Sequence, residues 1–127
     1  CVLASAGRLA AATSTAGVFG KMPGRVGDTP IPGAGSWADG HVAVSGTGQG
    51  EYFIRTVACA QVSWHVAAGA GLEDATRAVI AEIGELGGDG GLIALDREGR
   101  IAHPYNSQGM KRAWLTTDGE IGVEVFG

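Results

Sequence analysis

The segment His41-Val42-Ala43-Val44-Ser45-Gly46-Thr47-Gly48-Gln49-Gly50-Glu51 decides the fold. Its first half is a short apolar run bounded by a turn signal, which reads as a strand. Its second half carries three glycines in five residues and cannot continue that strand. Beyond it, Phe53, Ile54, Val57, Ala58, Val62 and Trp64 form mostly one apolar band, which predicts a helix over about Glu51 to Ala68. A strand that enters a glycine turn and then a helix offers backbone N–H groups to an anion or a developing oxyanion. The turn lacks the Lys-Ser/Thr of a P-loop and the full G-x-G-x-x-G, so a nucleotide reading is weak. Gly33-Ala34-Gly35-Ser36-Trp37-Ala38 fits G-x-G-x-x-A but follows a Pro-rich loop rather than a strand.

Working outward, Gly69-Ala70-Gly71 ends the first helix and a second is predicted over about Leu72 to Leu86. Glu73 and Asp74 suit its positive end, and Ala75, Val79, Ala81 and Ile83 give it an apolar side. Two hairpins follow. Residues 92–96 and 100–103 flank Arg97-Glu98-Gly99, and residues 111–117 and 120–126 meet at Asp118-Gly119. Upstream, residues 1–5 and 8–13 form a hairpin around Ala6-Gly7, and residues 16–40 form an ordered loop punctuated by Pro and Gly. The order is β-β-loop-β-α-α-β-β-β-β. Strands and helices fall in blocks, which predicts an α+β domain with an antiparallel sheet and two helices.

The 127 residues suffice for one domain, and 23 glycines far exceed the usual share of about 7%. A net charge of −4 without a Lys/Arg cluster argues against nucleic acid as a partner. No apolar run approaches the roughly 18 residues of a membrane span, so a soluble chain with no membrane partner is expected. Cys1 and Cys59 are too few for a disulfide framework or a metal site, and His41, His65 and His103 are scattered. The chain therefore carries no metal or cofactor signature, and reduced thiols place it in the cytoplasm. His65 and His103 read as packing residues, and Tyr105-Asn106 as part of a structured turn. Trp37, Trp64 and Trp114 read as core or interface anchors. A chain that opens on a strand at Cys1, without Met, is expected to be cut from a precursor or to lack residues upstream.

The chemistry gathers around Thr13-Ser14-Thr15 and Pro23-Gly24-Arg25-Val26-Gly27-Asp28-Thr29-Pro30. Arg25 offers a planar fork for a carboxylate and Asp28 accepts from an ammonium, so together they suit a zwitterionic amino-acid head group. The alternative is an exposed loop salt bridge between the two. The hydroxyls and the glycine turn would serve attack by a hydroxyl or thiol on an amide carbonyl. That nucleophile needs a base. With no credible histidine triad, the free α-amine of a processed N-terminus is the economical one, with a pKa near 8.

These motifs resemble the N-terminal nucleophile family of isoaspartyl peptidases and plant-type L-asparaginases. Leu9-Ala10-Ala11-Ala12-Thr13-Ser14-Thr15, the segment from Pro23 to Pro30, Val42-Ala43-Val44-Ser45-Gly46-Thr47-Gly48 and Gly50-Glu51 stand in family order. Gly87-Gly88-Asp89-Gly90-Gly91-Leu92-Ile93-Ala94 and Pro104-Tyr105-Asn106-Ser107-Gln108-Gly109-Met110 extend the match over nearly the whole chain. The resemblance implies that residues 1–127 are the β subunit of a self-cleaved precursor, partnered by an α subunit in an (αβ)₂ heterotetramer. It implies an αββα four-layer sandwich. It implies hydrolysis of L-asparagine and β-aspartyl peptide bonds through an aspartyl-enzyme ester. By the same resemblance, Thr15 is the second hydroxyl beside the nucleophile, Arg25 holds the substrate α-carboxylate, and Asp28 holds its α-amine. Thr47 and the Gly48 backbone make the oxyanion hole, with Gly48 also against the substrate and Gly50 beside the amine pocket.

The family opens its β chain on Thr, usually Thr-Val-Gly, farther from the Thr15 position than Cys1 stands. In one reading Cys1 follows just after that tripeptide and is a small strand residue; a two-residue turn at Ala6-Gly7 then sets Val2 opposite Ala11. In the other, Cys1 is itself the nucleophile, for which a thiol is chemically able. A glycosylasparaginase, a threonine endopeptidase-like relative and an inactive Asp/Asn-binding homologue are the competing functions.

Overall fold

The computed structural model describes residues 2–3 and 5–126, so Cys1 lies outside the described residues. The element that organises the rest is the strand read first from the sequence. It runs Val42–Gly48 (β4) and sits second in a four-stranded antiparallel sheet. Its neighbours are Ser36–Ala38 (β3) on one side and Gly90–Asp96 (β5) on the other, with Ile101–Ala102 (β6) beyond β5. Register pairs Ser45 with Ser36 and with Ile93, and Gly48 with Gly90.

Alternation along β4 divides the sheet's two faces. Val42 and Val44 point with Leu92 and Ala94 into the core, where Phe53, Val62, Val79 and Ile83 meet them, all essentially inaccessible. The opposite face carries Ala43, Ser45 and Thr47. The helices stand at Gly50–Thr56 (α1), Ala58–Ala67 (α2) and Leu72–Glu85 (α3). A hairpin of Val2–Leu3 (β1) and Leu9–Ala10 (β2) lies near β3, β4 and β5. A second hairpin, Arg112–Leu115 (β7) and Ile121–Glu124 (β8), closes the chain. Strands and helices in separate blocks make this an α+β chain with an antiparallel sheet, as expected.

Four local expectations give way. The helix predicted over 51–68 is two helices, because Val57 adopts the left-handed conformation (φ 53°, ψ 44°). The Ala60 N–H, which a continuous helix would aim at Thr56, instead donates to the Gly33 carbonyl at 2.9 Å. The predicted apolar band splits with it: Phe53, Ala58 and Val62 are buried, whereas Val57 and Trp64 are exposed. On α3, Ala81 likewise faces outward while Ala75, Val79 and Ile83 are buried. The loop 16–40 contains the edge strand β3, fastened where Gly33 N–H donates to the Ser36 carbonyl and Gly46 N–H to that of Gly35. The first hairpin pairs Val2 with Ala10, not Ala11. Its turn is longer than two residues, because a 3₁₀ turn over Ser5–Gly7 carries Ala6 and Gly7 at φ 62° and 68°.

The Arg97-Glu98-Gly99 turn falls where expected, and the turn expected at Asp118-Gly119 takes in Thr117 as well. Gly99 and Gly119, at φ 82° and 91°, close three-residue loops in which Asp96 N–H reaches the Arg100 carbonyl and Thr116 N–H that of Glu120.

Candidate active site

Residues of the β4 end, the segment 12–18 and the loop 25–30 line one pocket of about 670 Å³. Thr13, Thr15, Arg25, Asp28, Thr47 and Gly48 all border it. Gly50 lies immediately behind, buried, at the start of α1. The predicted site residues from distant parts of the sequence therefore converge; Cys1 lies outside the described residues.

Asp28 is placed by its backbone. Its carbonyl accepts from Ile31 N–H at 2.9 Å and Gly35 N–H at 3.1 Å, which folds the loop into a tight turn. The side chain is carried inward, to 7% exposure, and its Oδ2 is buried with no hydrogen-bond partner among the described residues. Burial pushes its carboxyl above the ordinary range, against the lowering influence of its own and Thr29's N–H groups and of Arg25. Gly50 makes this position possible: a Cβ there would stand 2.6 Å from Asp28 Oδ1. Behind this group Cys59 is fully buried, and its thiol is pushed up first by burial and then by the Asp28 charge.

Arg25 does not pair with Asp28. Its Nη2 donates to Glu51 Oε1 at 2.8 Å, and its side chain is one-fifth exposed. The loop salt bridge that the sequence left open is thus replaced by an ion pair to the first turn of α1. That ion pair holds the Glu51 carboxyl below its ordinary range. Arg25 and Asp28, whose Oδ2 lacks a partner among the described residues, border the same pocket.

Thr47 is exposed on the pocket face of β4. Gly48 follows at φ 138°, and a Cβ on it would collide with Asp89 O and Gly90 Cα. The Gln49 N–H is spent on the Asp89 carbonyl at 3.0 Å, which ties the end of β4 to the start of β5. Asn106 braces that start from the other side: its Oδ1 accepts from Gly90 N–H at 2.8 Å and its Nδ2 donates to Gly88 O at 3.1 Å. The structured turn expected at Tyr105-Asn106 is this brace.

The three hydroxyl residues 13–15 do not behave alike. Thr15 Oγ1 accepts from Gly17 N–H at 2.9 Å and caps its own turn. Thr13, which sequence reasoning did not single out from its neighbours, reaches across to Ser45 Oγ at 2.7 Å and to Gly35 O at 3.1 Å. His103, read as a packing residue without an assignable partner, accepts from Arg112 Nε at 3.0 Å and stacks on Trp114, away from this pocket. Ser36–Ala38 is a strand, so the G-x-G-x-x-A match opens no helix. Among the described residues, no three His, Cys, Asp or Glu side chains gather as metal ligands would, and no helix is long and apolar enough to cross a membrane.

A family model described as asparaginase matches residues 1–124. The chain belongs to this asparaginase family. It is 54% identical over 111 residues to an isoaspartyl peptidase of Salmonella typhimurium, covering 85% of the chain and 36% of that protein. It is 40% identical over 122 residues to a plant-type L-asparaginase of Pyrobaculum calidifontis, covering 94% of the chain and 40% of that protein. To an isoaspartyl peptidase/L-asparaginase of Bos taurus it is 40% identical over 117 residues, 91% of the chain and 38% of that protein. The chain thus spans little more than a third of these curated relatives.

Proposed function

We propose that the complete asparaginase-family protein hydrolyses the side-chain amide of L-asparagine and β-aspartyl peptide bonds. The observation that carries this reading is the buried Asp28 Oδ2, unpartnered among the described residues, in the pocket that Arg25 also borders. A buried carboxylate oxygen without a donor is costly to keep, and an ammonium is the donor that would satisfy it. Arg25, already steadied by Glu51, takes the α-carboxylate. The side-chain amide then extends toward Thr47 and Gly48, whose hydroxyl and backbone N–H stabilise the oxyanion. Gly50 keeps the amine pocket open.

In this reading residues 1–127 are the β subunit of a self-cleaved precursor, in the cytoplasm. The α chain supplies the remaining layers of an αββα sandwich, and two αβ units form a heterotetramer. The exposed apolar residues Leu115, Ile121 and Val123 and the small share of the relatives' length support that arrangement. The nucleophile is the residue freed by cleavage: a Thr shortly upstream, or Cys1. It attacks the amide carbon with its own α-amine as base and Thr15 beside it, ammonia or an amino acid leaves, and water releases aspartate from the ester or thioester.

The test is expression of the full gene, intact mass with N-terminal sequencing, and assay of L-asparagine and a β-aspartyl dipeptide. Two fragments and release of aspartate are expected. A single uncut chain without turnover would overturn the reading. Arg25→Ala is expected to raise KM about ten- to a hundredfold, the loss of one charge-assisted hydrogen bond; an unchanged KM would remove Arg25 from the clamp.

A further inference from the structure

Thr13 and Ser45 meet inside the pocket, beside the Gly35 carbonyl. The Gly35 carbonyl oxygen accepts from Gly46 N–H at 2.9 Å and from Thr13 Oγ1 at 3.1 Å. Thr13 Oγ1 also lies 2.7 Å from Ser45 Oγ. A carbonyl only accepts, and a hydroxyl has a single proton to give. When the Thr13 proton is given to Gly35, the Ser45 hydroxyl is the donor in the 2.7 Å contact. Ser45 then has no proton left for the pocket it lines and turns only lone pairs toward it. Ser45 projects from the same face of β4 as Thr47, two residues along.

We propose that Ser45 is an acceptor for a protonated amine in this pocket, and that Thr13 is the positioning residue that sets its polarity. This rests on the amidohydrolase reading for its ligands. A protonated amine has two sources there: the ammonium of the substrate, and the α-amine of the chain's own processed N-terminus. Both need lone pairs, and a Ser45 that pointed its proton inward would repel either.

The experiment uses the full-length processed protein and three variants: Ser45→Ala, Thr13→Val and Thr13→Ser. Thr13→Val keeps the Ser45 hydroxyl but removes its acceptor, so the Ser45 proton is free to turn inward. Calorimetry measures L-aspartate against succinate, which differ only by the amine, and kinetics follow kcat for L-asparagine against pH. If the substrate amine is the donor, Ser45→Ala and Thr13→Val weaken L-aspartate about ten- to a hundredfold, leave succinate unchanged, and Thr13→Ser recovers the preference. If the N-terminal amine is the donor, both ligands bind as in the parent, kcat falls for both variants, and the limb set by that amine moves to lower pH. An ammonium that has lost an acceptor releases its proton more readily.

Either pattern supports the acceptor. Thr13→Val matching the parent in every measurement would overturn the proposal, as would equal weakening of aspartate and succinate. A parent protein that binds aspartate but turns over no asparagine would sink the hydrolase reading alone, since the two affinities still report on Ser45.

Discussion

At the scale of single residues, Asp28 is the group of the site held in the least favourable state. Its carboxyl is raised by burial, so the folded chain takes up a proton there more readily than the unfolded chain does. Stability gained from that proton is present at low pH and is lost as pH rises through the folded value; at neutral pH the ionised Asp28 works against folding. Asp28→Asn should therefore leave the protein as stable as the parent or more so at pH 7, with the difference shrinking in acid. The same substitution should raise KM, because the amide attracts an ammonium more weakly. Parallel thermal melts and kinetics at two pH values check both halves, and a large loss of stability at pH 7 would contradict the first. In the parent, kcat/KM should fall in acid at a pH above the usual aspartate range, since only the carboxylate holds the amine. Thr47→Ala is expected to lower kcat roughly a hundredfold or more with KM little changed; parent kcat in single-turnover kinetics would exclude an oxyanion role. The residues of this clamp were legible in the sequence as types. Their partners were not. Arg25 turns to Glu51, 26 positions away, rather than to Asp28 three away, and Thr13 finds Ser45 across 32 positions. Such separations are settled by strand register, which local spacing does not encode.

At the scale of elements, the β4–β5 ladder sets the floor of the pocket, and its tightest point is Gly48 opposite Gly90. Gly48→Ala would force a side chain into Asp89 O and Gly90 Cα and would also be strained at φ 138°. A loss of a few kcal/mol and near-complete loss of the proposed activity are expected, because relief requires the two strands to part where Thr47 and Gly48 line the pocket. Urea unfolding and kcat/KM check this; a variant with parent stability would show that the ladder end can yield. The elements that carried strong periodicity or turn chemistry were readable in advance: β4 with its glycine turn, α3, and the hairpins closed by Gly99 and Gly119. Two features were hidden for physical reasons. β3 is three residues long in a Gly- and Pro-rich loop, and it is a strand only because β4 offers it an edge. The break at Val57 places a β-branched residue in the left-handed region, at a cost of about 1–2 kcal/mol, which no propensity favours. Tertiary contact imposes it, through the Ala60 N–H that Gly33 captures.

At the scale of the whole molecule, the distribution of apolar surface points beyond the 127 residues. Register across β7–β8 pairs Leu115 with Ile121 and Ala113 with Val123, so these four share one face of the hairpin. Leu115, Ile121 and Val123 are each about 70% exposed, with relative exposures of 68%, 72% and 73%. The opposite face is the anchored one: there Trp114 stacks on His103, and the buried Arg112 pairs with Glu124 and lies over the Tyr105 ring. A hairpin pinned on one side and apolar on the other is built to be covered. The chain spans little more than a third of its relatives, and in the proposed arrangement the α chain is the cover. The double substitution Ile121→Lys with Val123→Lys distinguishes the cases in the full-length protein. On a face open to water, two such changes would alter stability by no more than about 0.5 kcal/mol each. On a face packed against the α chain, each buries an unpaired charge, and several kcal/mol should be lost together with subunit association. Urea unfolding and light scattering of the assembled protein read both quantities. A drop in both is the expected result, and an unchanged midpoint with unchanged mass would place this hairpin at the outer surface instead.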